Sequence, residues 1–323
     1  MALPRDRALL VKAARLYYEQ DLSQDQIAVT LGVSRSNVSR MLTDARSQGI
    51  VQIKIVEHAM RDTALERRIQ ELLPVRHVRV SRSGDSIDDF SSVGALGADA
   101  LTERVRPNST VGISWGSTLQ AVVNAIDSDY LPGVQIVPLV GGMTALSSTS
   151  TGDDLVRTMA TKMGASHSTV LAPVVVTSDA TRDAFLNEPS ISAVLEQARK
   201  SDIALVGIGS KHSSSTMDLL TGAGLPDATY DALMKDISGD ICAQFFDING
   251  EVVDHGWENR IIGIRLDELR RISHVIGVAA GAGKAAGVIG AARGGYVSEL
   301  VLSSSCALAV VRMLDANKGA RAS

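Results

Sequence analysis

The chain has 323 residues, 45% of them hydrophobic and 21% charged, with a net charge of −4. That is long enough for two domains with one sizeable core, and too apolar for a disordered chain. A membrane span is excluded, because the longest apolar run, Val275 to Ala292, carries Lys284 at its centre and five glycines, and a lysine at mid-membrane costs about 2.5–3.5 kcal/mol.

Aromatic residues are only 3%, so the core has to be built from Val, Ile, Leu and Ala. Residues 1–15 mix charges and lack the apolar stretch of a secretory signal. Cys242 and Cys306 lie far apart and match no zinc or redox spacing, which points to a reduced cytoplasmic protein. None of the six histidines falls in a zinc-protease pattern, so neither a metal nor a cofactor is expected. The charge is uneven along the chain. Residues 1–56 hold eight Lys/Arg against five Asp/Glu, whereas the remainder is acidic. A small basic head on an acidic body suits contact with DNA at one end.

In chain order, Leu9, Leu10, Ala13, Ala14 and Leu16 recur at helical spacing from Arg7 to Tyr18. Ser23 is placed to cap a second helix, with Gln26 at the capping-box position and Gly32 as the stop. Ser34 caps a third helix, running from Arg35 to about Ser47, with Val38, Met41 and Leu42 inward. Ile50 to Ile55 alternates with strand period, as a short wing would. This is a winged helix-turn-helix, and its third helix carries the chemistry of a DNA reader. A recognition helix enters the major groove with its N-terminal side chains against base edges. Ser34, Arg35, Ser36, Asn37, Ser39 and Arg40 supply hydroxyls, an amide and two guanidiniums there, and Gln24 and Gln26 of the preceding helix are candidates for phosphate contact. A packing module with an accidental polar face is the plainer alternative.

Residues 57–74 read as a linker helix, with Leu65, Ile69 and Leu72 on one face for its own body or for a second protomer. Pro74 ends it, and residues 75–323 form the second domain. There, β-rich runs alternate with amphipathic helices such as Val93–Arg106, Leu119–Ile126, Leu155–Met163 and Ala193–Lys200. The strand candidates are His77–Val80, Thr110–Ser114, Gln135–Leu139, Ser168–Ala172, Ile203–Gly207, Ile241–Ile248, Val275–Ala279 and Leu300–Leu302. Such alternation predicts an α/β domain, a mostly parallel sheet with helices on both faces, or αβα sandwich.

Ligands in such sheets bind where strands end and helices begin, and helix N-termini favour anions. Three junctions have the required glycines: Val111 to Thr118, Pro138 to Thr144, and Gly277 to Lys284. Each alone could be a tight turn. Together with Lys284 they point to an anionic ligand. Gly112-Ile-Ser114-Trp-Gly116 matches the nucleophile elbow of α/β-hydrolases, but no oxyanion segment of the HGGG type precedes it. Gly283-Lys284 is not a phosphate-binding P-loop, because Ala285 replaces the required Ser or Thr.

With both halves read, the chain resembles the SorC family of bacterial sugar-responsive transcriptional regulators over essentially its full length. The matching pieces are the Leu22–Ile53 reader and the strings Gly112-Ile-Ser-Trp-Gly-Ser-Thr118, Pro138-Leu-Val-Gly-Gly142, Leu205-Val-Gly-Ile-Gly209, Phe246-Asp-Ile-Asn-Gly250 and Gly277-Val-Ala-Ala-Gly-Ala-Gly-Lys284. The resemblance implies a body related to sugar-phosphate isomerases that binds an effector without turning it over. It also implies a homo-oligomer, dimer or tetramer, on operator DNA. By motif, Gly116, Ser117, Thr118, Gly141, Gly142 and Lys284 would hold the phosphate of a small sugar, and Asp247 would meet its hydroxyls. Asp247 also reads as a turn residue before Asn249-Gly250. Near the C-terminus the family usually carries an acidic, threonine-containing strand end, where this chain has Ser303-Ser-Ser-Cys-Ala307. The rival functions are an active sugar-phosphate isomerase or deaminase with an appended DNA-binding head, and a DNA binder with a ligand-dead body.

Overall fold

The computed structural model describes residues 7–51, 60–82, 89–127, 131–143 and 152–322, the last six without their side chains. The chain divides into two compact units, Met1–Glu57 and His58–Ser323.

The first unit is three helices, α1 (Arg7–Tyr18), α2 (Gln24–Leu31) and α3 (Arg35–Ser47). Their starts and stops follow from local chemistry. The Ser23 hydroxyl accepts from the Gln26 N–H at 3.3 Å, and the Gln26 Oε1 accepts from the Ser23 N–H at 2.9 Å. This reciprocal cap satisfies donors that the first turn would otherwise leave unpaired. Gly32, at φ 65°, closes α2 in the left-handed region. The apolar positions Leu10, Ala13, Ile27, Val38 and Ala45 are fully buried, and each large one stabilises the unit by about 1.5–3 kcal/mol. The expected wing strand lies mostly outside the described residues. Of its first two positions, Ile50 and Val51 are not in a strand and donate back to the Ala45 carbonyl at 2.9 and 3.1 Å.

The second unit opens with α4 (Thr63–Leu72), β1 (His77–Val80), α5 (Asp89–Thr102), β2 (Thr110–Ile113) and α6 (Ser117–Ala125). It continues through β3 (Gln135–Pro138), α7 (Gly152–Met163), β4 (Ser166–His167), α8 (Asp179–Asn187), α9 (Pro189–Arg199) and β5 (Ile203–Gly207). Then come α10 (Ser214–Gly222), α11 (Asp227–Asp236), β6 (Gly239–Ile241), β7 (Gln244–Phe246) and α12 (Leu266–Leu269). The chain closes with β8 (His274–Ala279), α13 (Ala285–Arg293), β9 (Glu299–Leu302) and α14 (Ser304–Ala322).

Seven strands form one sheet in the order β1-β9-β8-β5-β2-β3-β4, all pairs parallel. Side chains alternate across a strand, and along β5 that period assigns residues to two cores. Ile203 and Leu205 pack with residues of α5, α6 and α7, whereas Ala204 and Val206 pack with those of α4, α13 and α14. Burial on both faces explains why β5, Ile203-Ala-Leu-Val-Gly207, is an apolar run with no polar alternation.

Three expectations need correction. The strand expected at Ser168–Ala172 is instead Ser166–His167. Ile241–Ile248 is a hairpin, β6 and β7, with Cys242 at φ 53° and Ala243 at φ 61° in the turn. Helix α4 does not offer its apolar face to a second protomer. Ile69 is fully buried in the body's own core, with Leu65 and Leu72 packed against it.

Candidate functional site

In the head, the N-terminal turn of α3 exposes Arg35, Ser36, Ser39 and Arg40 while Val38, Met41 and Leu42 hold it to the core. The candidates divide by what they already bind. The Ser34 hydroxyl caps α3, accepting from the Asn37 N–H at 3.3 Å, and lies 3.0 Å from the Ser36 hydroxyl. The Gln26 oxygen is taken up by the cap on α2. Arg35 reaches Asp25 of α2 at 3.7 Å, with both side chains about seven-tenths exposed. A pair that open to water contributes little, so the Arg35 guanidinium is available to a stronger acceptor. Gln24 is half-buried, as is Asn37.

In the body, chain order along the sheet reverses between two neighbouring strands. From β2 the chain proceeds to β3 and β4 on one side, then returns to β5 on the other and continues to β8 and β9. Loops leaving the carboxyl ends of β2 and β5 therefore part in opposite directions and open a crevice, the place where ligands bind in sheets of this kind. A small cleft open to solvent lies there, lined by Ser114 to Thr118, Gly207 to Gly209, Asp240 and Lys284, among others.

Gly116 sits at φ 135° just before α6, and a side chain added there would meet nothing within 4 Å. It is the left-handed backbone, not crowding, that calls for glycine at this position. Ser117 and Thr118 form the first turn of α6 and bring its N–H groups and dipole to the cleft. Lys284, which follows the Gly281 turn at φ 91°, lines the same cleft. Burial pushes the Lys284 ammonium below its ordinary value, while Asp240 opposes that shift. Burial likewise pushes the Asp240 carboxyl up, against the pull of the Thr216 hydroxyl and of Lys284. Thr216 donates to the Asp240 Oδ1 at 2.6 Å. The Cys242 thiol is pushed up to about 12, chiefly by burial, and is therefore unreactive. Among the described residues no histidine lines the cleft. Ser114, the centre of the hydrolase-like string, is buried and accepts from the Gly207 N–H at 3.4 Å.

The structure thus brings Gly116, Ser117, Thr118 and Lys284 together and leaves the other three effector candidates elsewhere. The Gly141 N–H donates to the Ile262 carbonyl at 2.9 Å, and that of Gly142 to the Ala172 carbonyl at 2.8 Å. Neither is free for an anion. A side chain at Gly141 would stand 2.7 Å from the carbonyl oxygens of Ala172 and Pro173, so the glycine permits two backbones to cross. Asp247 does not line the cleft. Its Oδ1 accepts from the N–H groups of Asn249 and Glu251 at 2.8 and 2.9 Å, which closes its own turn. The acid at the cleft is Asp240, which sequence reasoning missed.

Similarity to known proteins agrees with both halves. The model of a sugar-binding domain (Sugar-bind) matches residues 57–312, and that of sigma-70 region 4 matches residues 4–48. The chain is 30% identical to the sorbitol operon regulator of Klebsiella pneumoniae, over 94% of this chain and 97% of that one. It is also 30% identical to the deoxyribonucleoside regulator of Bacillus subtilis, over 95% and 98%. The solved full-length sorbitol operon regulator SorC superposes with a TM-score of 0.74, covering 96% of this chain and 100% of that one at 29% identity. Among the described residues no helix is long and apolar enough to cross a membrane. With a helix-turn-helix at one end, a sugar-binding domain behind it and regulators rather than enzymes as its relatives, the chain belongs to the SorC family of sugar-responsive, DNA-binding transcriptional regulators.

Proposed function

We propose that this regulator binds operator DNA through the first turn of α3 under the control of a small phosphorylated sugar held in the crevice between β2 and β5. The observation that carries the reading is the half-buried Lys284 sharing a cleft with the N-terminus of α6 at the strand-order reversal. A buried ammonium is costly unless an anion compensates it, and a phosphate bound there would meet both the lysine and unpaired backbone N–H groups. Asp240 and the hydroxyls of Ser117 and Thr118 are suited to sugar hydroxyls. Arg35, Ser36, Asn37, Ser39 and Arg40 read bases, and Gln24 and Gln26 contact phosphates. Residues 1–56 are the reader, 57–74 the link and 75–323 the sensor, in a cytoplasmic protein.

The protein acts as a homo-oligomer, dimer or tetramer, because one reader covers one half-site and two gain affinity together. Light scattering that finds a monomer at micromolar concentration, with and without DNA, would refute the oligomer. For the effector the test is a thermal-shift screen of sugar phosphates beside the same sugars without phosphate. Stabilisation by phosphorylated members alone is the expected result, and stabilisation by the free sugars to the same degree would overturn the phosphate.

A further inference from the structure

Phe90 stands at the edge of the cleft, on the first turn of α5, and keeps 44% of its surface exposed. The chain holds only four phenylalanines and two tryptophans. Phe245, Phe246 and Trp257 are fully buried, and Phe185 is packed against a core. The other two, Phe90 and Trp115, line the cleft. A protein so poor in aromatic rings has placed one, a little under half uncovered, where a ligand would lie.

Phe90 is also tied to the loop that carries Lys284. The Ser303 hydroxyl oxygen accepts from the N–H groups of Gly281 at 3.0 Å and Cys306 at 3.2 Å. Its own hydrogen is therefore free to point to Ser305, 3.0 Å away. Ser305 in turn donates to the Oδ2 of Asp89 at 2.5 Å, and Asp89 is the residue before Phe90. The Ser303-Ser-Ser305 string forms the middle of this chain. It links the Gly281 turn, α14 and the start of α5.

We infer that Phe90 is a stacking wall of the effector site and selects a ring-closed sugar phosphate over an open-chain one, with the Gly281–Ser303–Ser305–Asp89 chain as its positioning device. The inference rests on the reading of the cleft as a sugar-phosphate site. The face of an aromatic ring is electron-rich. A closed sugar ring offers it a flat patch of C–H groups made electropositive by their oxygens. An alditol presents no such face and loses more rotor entropy when held.

Calorimetry on the full chain, with glucose 6-phosphate against sorbitol 6-phosphate and ribose 5-phosphate against ribitol 5-phosphate, tests this. The parent should prefer a closed member by about tenfold, the size that an aromatic contact of roughly 1.4 kcal/mol gives. Phe90→Ala should abolish the preference by weakening the closed members more than the open-chain ones, and Phe90→Tyr should keep it. Ser305→Ala should reduce the preference without weakening the open-chain phosphates. If Phe90→Ala weakens both members of a pair equally, or neither, the wall is refuted and the phosphate site stands. If the parent binds none of the four, both readings fall.

Discussion

Asp240 and Lys284 stand together in the cleft, and each favours the charged form of the other against the cost of burial. The pair is held by different means on its two sides. Asp240 is fixed by the Thr216 hydroxyl, whereas Lys284 follows a glycine turn whose N–H is anchored on Ser303. Asp240 lies on β6 and Lys284 behind the Gly281 turn, so the two opposite charges reach one cleft from separate elements.

Lys284→Ala is expected to weaken sugar-phosphate affinity roughly ten- to a hundredfold, since charge-assisted hydrogen bonds contribute about 1.5–3 kcal/mol. Operator binding without effector should persist, because the reader is a separate unit. Calorimetry with the effector and a gel shift without it check the two halves. Unchanged effector affinity would remove Lys284 from the site.

Gly209→Ala should damage the same site from beneath. A methyl group there would stand 1.8 Å from the Asp240 Oδ1, so the carboxylate has to leave its place. The expected outcome is weaker effector binding with operator binding retained. A variant whose effector affinity and specificity match the parent would show that Asp240 takes no part.

At the far end of the sheet, Glu299 is almost fully buried between Arg79 and Arg104, while Glu103 pairs with Arg79 from a half-exposed position. Glu299→Ala leaves buried arginine charge uncompensated and should cost about 3–5 kcal/mol in denaturant unfolding. Glu103→Gln should cost only about 0.2–1 kcal/mol, the range for exposed pairs. Its dependence on pH has a fixed sign. Arg79, by hydrogen bond and charge, holds the Glu103 carboxyl below its ordinary value. That contribution is complete above the unfolded carboxylate range and is lost as pH falls through the lowered folded value. The gap between parent and Glu103→Gln should therefore shrink below about pH 4.3, and a gap that widened on acidification would contradict this.

In the head, Arg35→Ala should cost about 1–3 kcal/mol of operator affinity and relax the choice of base at one position, as loss of a bidentate contact does. A fluorescence-anisotropy titration against the operator and its single-base variants measures both. Uniform weakening across all sequences would reassign Arg35 to the phosphate backbone.

The parallel sheet and the head were legible because their signals are local. β-branched runs bounded by glycine give strands, and Ser23, Gly32 and Ser34 mark helix ends through chemistry confined to three or four residues. The hairpin at Gly239–Phe246 was not legible. Its left-handed turn is Cys242-Ala243, without the Asn or Gly that such turns favour. That Gly116 and Lys284 lie at strand-to-helix junctions was legible because a strand, a glycine and a helix start follow one another in sequence. Gly141 misled because a glycine after a strand reports close approach without saying whether an anion or another stretch of backbone approaches. Asp240 sits in no motif, and only the packing of the β6–β7 hairpin against α13 brings it to the cleft of Lys284.

The sheet order also has a consequence for synthesis. The cleft draws on β2, β5 and the loop after β8, and that loop leans on Ser303, near the end of the chain. The three helices of the reader are complete by Ser47. On the ribosome the part that touches genes is therefore finished long before the part that listens, and a message cut short after the first unit would encode a reader deaf to sugar.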